Sequence, residues 1–317
     1  MEIKAARLAF IFFTAAVTAQ LQQQEEDEDG GGWFSASDVR SQDEGRCNID
    51  VLHGSSLSYQ QFMERYAYGR PVILRGLTDN TKFRLLCSKS SLLREYGAHR
   101  VRLSTANTYS YRKVDVPFQE YVDEFLRPQS ADALGSDTLY FFGDNNFTEW
   151  QSLFEHYESP PYVLPLTSGA YSFGIAGPGT GVPFHWHGPG YSEVIYGRKR
   201  WFLYPPDQEP HFHPNRTTLS WVTETYPNLL EDEAPLECTI RPGEVFLLRP
   251  GIKLTQTSKT RCCRHLVKSQ KSIQNRPSSA RWAHSSLFSC GGQSDQSSAQ
   301  APVQEKRPHG FLSCSNL

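Results

Sequence analysis

Between residues 47 and 248 the apolar positions come in short runs broken by glycine and proline. Ser58, Gln61, Phe62 and Tyr66 carry the spacing of a capped amphipathic helix. Arg70–Gly76 predicts a strand that ends at a turn, Ser91–Tyr96 a helix, and Arg100–Ser104 an alternating strand. Val116–Leu126 predicts a helix, with Phe118, Tyr121, Val122 and Phe125 on one face. Leu139–Phe142, Tyr171–Ala176, Phe184–His187, Tyr191–Tyr196 and Trp201–Tyr204 predict strands, punctuated by Gly143, Gly177-Pro178-Gly179 and Gly188-Pro189-Gly190. Many short strands with glycine turns predict an antiparallel sandwich or barrel with helices packed outside.

Both ends depart from that pattern. Lys4 and Arg7 precede an apolar run from Leu8 to Val17, and Val17-Thr18-Ala19 offers a cleavage site before Gln20. Residues 1–19 are therefore expected to be a secretory signal peptide, since the run is too short to span a bilayer comfortably. Residues 20–46 are acidic and glycine-rich, which predicts a solvated linker before a folded domain over 47–248. After about Phe246 the chain turns rich in Ser, Gln, Lys and Arg, and residues 249–317 are expected to be a disordered tail.

Charge sharpens the last boundary. The net charge of −2 hides a balance of −11 over residues 1–248 and +9 over residues 249–317. A sign change that abrupt suggests segments of different origin, here an alternative splice form or a retained intron. The tail lacks the basic and aromatic interleaving of a nucleic-acid site, so no nucleic-acid partner is expected. No transmembrane segment is expected either, and the sequence leaves the oligomeric state and the identity of protein partners open. Asn146-Phe147-Thr148 and Asn215-Arg216-Thr217 are glycosylation patterns that fit a lumenal chain, with Asn146 and Asn215 as acceptors. Seven irregularly spaced cysteines do not form a zinc pattern. One bridge, such as Cys47 to Cys87, is compatible with an oxidising lumen, and small buried thiols are an equal alternative.

The chemistry concentrates in Val182-Pro183-Phe184-His185-Trp186-His187 and the strand that follows. Side chains alternate along a strand, so His185 and His187 share one face, a start for a metal site. With Glu193 they fit Gly-x5-His-x-His-x5-Glu-x3-Gly from Gly179, similar to a cupin metal motif apart from the spacing around the glutamate. His185, His187 and Glu193 are the candidate metal ligands, and no residue stands out as catalytic. His211 and His213 lie in a proline-rich loop and are read as non-ligands.

The order of Pro71-Val72-Ile73-Leu74-Arg75-Gly76, the His185 region, Gly197-Arg198-Lys199-Arg200-Trp201 with Tyr204-Pro205-Pro206, and Arg241-Pro242-Gly243-Glu244-Val245 resembles the JmjC (jumonji) domain family. The likeness is to its small JmjC-only members related to asparaginyl and lysyl hydroxylases, and spans about residues 47–248. It implies a mostly β fold, a double-stranded β-helix of the cupin type with flanking helices. It also implies Fe(II) held by His-x-Asp/Glu and a distal histidine, with 2-oxoglutarate bound by a strand lysine. Carried over, His185 matches the first ligand, His187 replaces the carboxylate, and Lys199 matches the co-substrate lysine. Val182 stands where many members have a threonine. Ile252, Lys253 and Leu254 occupy the place of the distal histidine, and His265 lies in no strand-like context. The barrel's C-terminal strands are therefore expected to be missing or replaced. The changes at His187, Val182 and the distal position together argue against turnover, so a non-catalytic protein acting through protein contacts is expected. The resemblance further implies a lumenal protein of the endoplasmic reticulum, a signalling or metabolic regulator in the setting of NF-kappa-B signalling. An Fe(II)/2-oxoglutarate-dependent protein hydroxylase and a cupin-like metal binder are the alternatives.

Overall fold

A computed structural model of the chain describes residues 30–33, 44–105, 112–127, 138–142, 147–162, 164–165, 167–213, 216–258 and 262–271. The expected signal peptide, both glycosylation asparagines, Asn146 and Asn215, and the stretch from 272 onward lie outside the described residues. No helix among the described residues is long and apolar enough to cross a membrane.

Among the described residues thirteen strands form two sheets. They are β1 (Asp50–His53), β2 (Val72–Arg75), β3 (Arg100–Thr105), β4 (Lys113–Pro117), β5 (Leu139–Phe142), β6 (Thr167–Ala176), β7 (Gly181–His187), β8 (Gly190–Tyr196), β9 (Lys199–Tyr204), β10 (Leu236–Ile240), β11 (Glu244–Leu248), β12 (Ile252–Ser258) and β13 (Cys262–Lys271). The larger sheet runs β1-β2-β11-β8-β13-β6-β5-β3-β4, and the smaller runs β10-β9-β12-β7. From β6 onward each successive strand changes sheet, except from β9 to β10, and the strands wind round a common core. That is the double-stranded β-helix, and the fold class expected from the sequence holds.

One part of the expectation is corrected: the closing strands are present. β12 pairs antiparallel with both β7 and β9, and β13 pairs with β6 along its whole length and with β8. The stretch expected to be a tail thus contributes two strands before residue 272. The polar composition misled because β12 is buried along its whole length: Thr255 hydrogen-bonds the Thr218 hydroxyl and the Val182 carbonyl, and Lys253 reaches Glu209 and Gln208 O.

Three apolar clusters hold the molecule together. Ile73, Val194, Trp201, Leu203, Phe246 and Leu254 fill the space between the sheets. Outside the larger sheet, α1 (Tyr59–Arg65) packs Phe62 with Leu74, Tyr191 and Val245. The expected cap is present there, as a reciprocal capping box between Ser58 and Gln61. The third cluster gathers α2 (Thr81–Leu86), α3 (Lys89–Tyr96), α4 (Phe118–Glu120, continuing as a π turn over Tyr121–Phe125) and α5 (Phe147–Phe154) around Phe141, Trp150 and Phe173. The helix expected from Val116 starts later, because Lys113–Pro117 pairs with β3 as β4.

Residues 30–33, inside the span expected to be a solvated linker, are packed instead. Trp33 is buried in the third cluster, and its indole N–H donates to Cys87 O at 2.9 Å. Gly31, at φ +67°, lies where any side chain would run into the Tyr196 ring.

The disulfide expectation is also corrected. Cys47 bridges Cys238 across 191 residues, and Cys87 is a buried free thiol. Cys87 is held under α3 in the helical cluster, whereas Cys47 leads into β1 beside the edge strand β10.

Candidate functional site

The register of the sheets decides which side chains meet inside the barrel. Ile252 and Leu254 of β12 face the inter-sheet core, and they stand opposite His187 and His185 in the β7–β12 ladder. Cross-strand partners share a face, so both imidazoles point inward, as the sequence predicts. The ladder shifts by one residue between Leu254 and Gln256, a bulge in β7 that returns Val182 to the interior opposite Gln256.

The two rings lie 6.0 Å apart between centroids. His185 Nδ1 is 2.9 Å from Pro183 O, and His187 Nδ1 is 2.7 Å from Gly188 O. A backbone carbonyl accepting from Nδ1 leaves Nε2 as the basic nitrogen, the form in which imidazole ligates a metal. His187 is buried, while His185 and the neighbouring Trp186 are exposed, so the pair sits at the mouth of the barrel.

Glu193 is not with them. Its strand neighbour Val194 faces the inter-sheet core, so Glu193 points the other way, out of the barrel. There it is only 2% exposed and accepts from Tyr157 Oη at 2.6 Å and from Asn80 Nδ2 at 3.1 Å. Burial among these groups, with Glu158 nearby, pushes its carboxyl up to about 7. The same burial and the Glu193 charge raise the Tyr157 phenol well above its usual range. Glu193 is therefore withdrawn as a metal ligand. The parity of β8 relative to β7 is a property of register, which spacing alone does not contain.

Lys199, the other candidate, is where the resemblance puts it. It opens β9, pairs with Ile240 of β10, and is 1% exposed. Its ammonium lies 4.0 Å from the centroid of the Trp201 ring. Among the described residues, Lys199 Nζ has no hydrogen-bond partner, and neither do Ser192 Oγ, Gln256 Oε1 or Trp201 Nε1. All four belong to interior rows of the barrel: Ser192 pairs with Phe246, and Gln256 with Trp201. Buried polar atoms are normally satisfied, and an unpaired buried cation is expensive. Three donors and one acceptor held ready in an apolar barrel suit a small organic acid.

The fit to the two groups implied by the resemblance therefore divides. Lys199 and its neighbours fit a carboxylate of 2-oxoglutarate, although Val182 supplies no side-chain hydrogen bond. The residues do not complete a three-ligand iron centre. His185 and His187 face Leu254 and Ile252, and among the described residues no group of three His, Cys, Asp or Glu side chains could hold an ion. His211 is exposed and contacts Glu233 at 3.0 Å, outside the barrel. His265 takes its place in β13, opposite Glu193 and Phe173 in the ladder, contrary to its expected lack of a strand context.

Sequence and structure comparisons bear on this architecture. No family model matches the sequence. The chain is 65% identical over 204 residues to JmjC domain-containing protein 8 of Homo sapiens, covering 64% of this chain and 76% of that protein. The Mus musculus protein of the same name is 64% identical over 204 residues, covering 64% and 75%. A more distant relative is the 2-oxoglutarate and iron-dependent oxygenase JMJD4 of Gallus gallus, 25% identical over 50% of this chain and 43% of that protein. Among solved structures, YcfD of E. coli matches with a TM-score of 0.43 and 18% identity, covering 68% of this chain and 53% of that one. At 61–65% identity over about three quarters of the mammalian proteins, and with the double-stranded β-helix in place, the chain belongs to the JmjC domain family.

Proposed function

We propose that this chain is a non-catalytic JmjC protein of the secretory lumen, acting through protein contacts as a signalling or metabolic regulator, with a barrel that retains a pocket for a small organic acid. The observation that carries the reading is β12. It presents Ile252 and Leu254 to the two imidazoles where a ligating side chain is needed. Two neutral imidazoles supply no negative charge, and a ferrous centre that leaves positions open for co-substrate and dioxygen draws on a carboxylate as well. The Cys47–Cys238 bridge supports an oxidising compartment, as does the signal-like N-terminus. NF-kappa-B signalling is the setting the family resemblance suggests, and the protein partner is undefined by chemistry.

The second reading, an Fe(II)/2-oxoglutarate protein hydroxylase, is favoured by one feature: the Lys199 cluster. In that reading the iron and 2-oxoglutarate together would supply oxidising power, and Lys199 would anchor the acid's distal carboxylate. A cupin-like binder would use His185 and His187 without that chemistry.

Thermal shift with 2-oxoglutarate in the presence of a chelator tests the acid pocket. A ligand at a hundredfold excess over its dissociation constant stabilises by about 2.7 kcal/mol. We expect a shift in the native chain and none in Lys199→Met. That variant alone should be more stable by about 1 kcal/mol, because it removes an unpaired buried amine while keeping its volume. A ligand shift that persists in Lys199→Met would reject this pocket, and a protein that gives no shift at all would reject acid binding.

A further inference from the structure

Residues 44–48 form a strap outside the barrel. β10 is the free edge of the smaller sheet, and the strap lies along it. Asn48 N donates to Glu237 O at 3.0 Å, Glu237 N donates to Asn48 Oδ1 at 2.6 Å, and the Thr239 hydroxyl donates to Glu44 O at 2.6 Å. Glu44 also pairs with Arg198 at 2.9 Å and with Arg241. Directly after the strap the chain enters β1, which belongs to the other sheet. The strap therefore spans the seam between the two sheets, and the Cys47–Cys238 bridge is its only covalent fastening.

The two sulfurs have unequal surroundings. Cys47 is exposed, whereas Cys238 is buried in the inter-sheet cluster with Ile49 and Ile240. Both line a cleft of about 400 Å³ with Arg46, Arg75 and Arg241. Cys238 is also the ladder partner of Trp201, the residue that carries Lys199 on its ring. The bond thus joins an exposed residue on the cleft to a buried one that borders the acid pocket.

We propose that Cys47–Cys238 is a reducible latch on the barrel seam, a thiol–disulfide exchange site for a dithiol of the oxidoreductase class. A thiolate of the dithiol attacks Sγ of Cys47, the exposed residue of the pair, and bonds to it. The Cys47–Cys238 bond breaks, and its electron pair leaves on Cys238 Sγ, which takes a proton from solvent. The dithiol's second sulfur, after losing its own proton, attacks its partner in the mixed disulfide and releases Cys47 as a thiolate, which is protonated in turn. The protein gains two electrons and two protons, and the dithiol becomes a disulfide. The arginines of the cleft are each paired with a carboxylate, Arg46 with Glu237, Arg75 with Glu244 and Arg241 with Glu44, so the attacking thiolate is supplied by the dithiol. Reduction then frees the strap from β10 and opens the seam next to Trp201. The inference goes beyond the proposed function and does not require the protein to be non-catalytic.

The experiment equilibrates the full oxidised chain with graded dithiothreitol. It reads Cys47 and Cys238 by alkylation and mass spectrometry, and amide exchange in residues 44–50, 190–196 and 236–240. The latch predicts that both thiols become alkylated while β8 keeps its protection and exchange over 236–240 rises about tenfold or more. Gly45→Ala provides a second arm that leaves both cysteines in place. Gly45 has φ +69°, and a side chain there would press on the Arg200 guanidinium, so the strap should loosen and reduction should run several-fold faster. Alkylation that appears only when β8 protection is lost too would make the bridge a static staple and overturn the proposal. Unchanged exchange over 236–240 after reduction would do the same, as would an unchanged reduction rate in Gly45→Ala.

Discussion

Glu237→Ala is expected to lower stability by about 3–5 kcal/mol, and with it the melting temperature by about 10 °C. The Glu237 carboxylate has no exposed surface and receives Arg200 through Nε at 3.0 Å and through a terminal nitrogen at 2.5 Å. Tyr226 donates to it as well, and Arg46 adds an ion pair at 3.2 Å from the strap side. Arg200 is itself almost fully buried, stacked near Phe202 and Tyr226. Removing the carboxylate takes from the buried guanidinium, under the outer face of the smaller sheet, the hydrogen bonds and the counter-charge that Glu237 supplies. The loss is thus mostly the cost of the stranded partner, not the net value of the pair. A double variant, Arg200→Met with Glu237→Met, should recover most of what the single variant loses. Denaturant melts of the two singles and the double make the cycle, and a double variant as unstable as Glu237→Ala would contradict this account.

The second large effect concerns pH. Glu193 has its carboxyl raised from 4.5 to about 7, chiefly by burial, against the opposing hydrogen bonds from Tyr157 and Asn80. A raised carboxyl means that the folded chain holds a proton the unfolded chain has released. Its contribution to stability is therefore complete below about pH 4.5 and is lost as pH rises through 7, a span worth roughly 3 kcal/mol. Among the described side chains, Tyr157, Tyr191, Asn80 and Glu158 face it. Between pH 5 and 7 the native chain should lose about 1.4 kcal/mol per pH unit from this site. Glu193→Gln keeps an acceptor for Tyr157, should flatten that slope, and should be more stable than the native chain at pH 8 by about 2 kcal/mol. Urea melts across pH read both quantities. A variant with the native slope would show that Glu193 is ionised throughout.

Much of the fold was legible because its signals are local. The capping box at Ser58 and Gln61 and the alternation through Arg100–Ser104 need only neighbouring residues to read. The inward pairing of His185 and His187 follows from strand parity in the same way. What failed depends on distant partners. Ile252–Ser258 looked like the start of a tail because four of its seven residues are Thr, Gln or Ser; both its faces are covered by structure contributed from elsewhere in the chain. Glu193 was assigned inward because its position relative to His187 was read along the chain, whereas its face is set by pairing with β11 and β13. Cys47 and Cys238 are 191 residues apart, and spacing carries no information about such a pairing. Trp33 sat in an acidic, glycine-rich stretch whose composition pointed to solvent, and one large ring was enough to dock it.

The central claim is that the barrel keeps its acid-binding amine while lacking a third metal ligand. Anaerobic titration of the full chain with Fe(II) and 2-oxoglutarate, followed in the visible range, tests it most directly. The account predicts no charge-transfer band, because two imidazoles opposite Ile252 and Leu254 do not hold iron where the acid could chelate it. A band that grows to one equivalent and disappears in Lys199→Ala would contradict it.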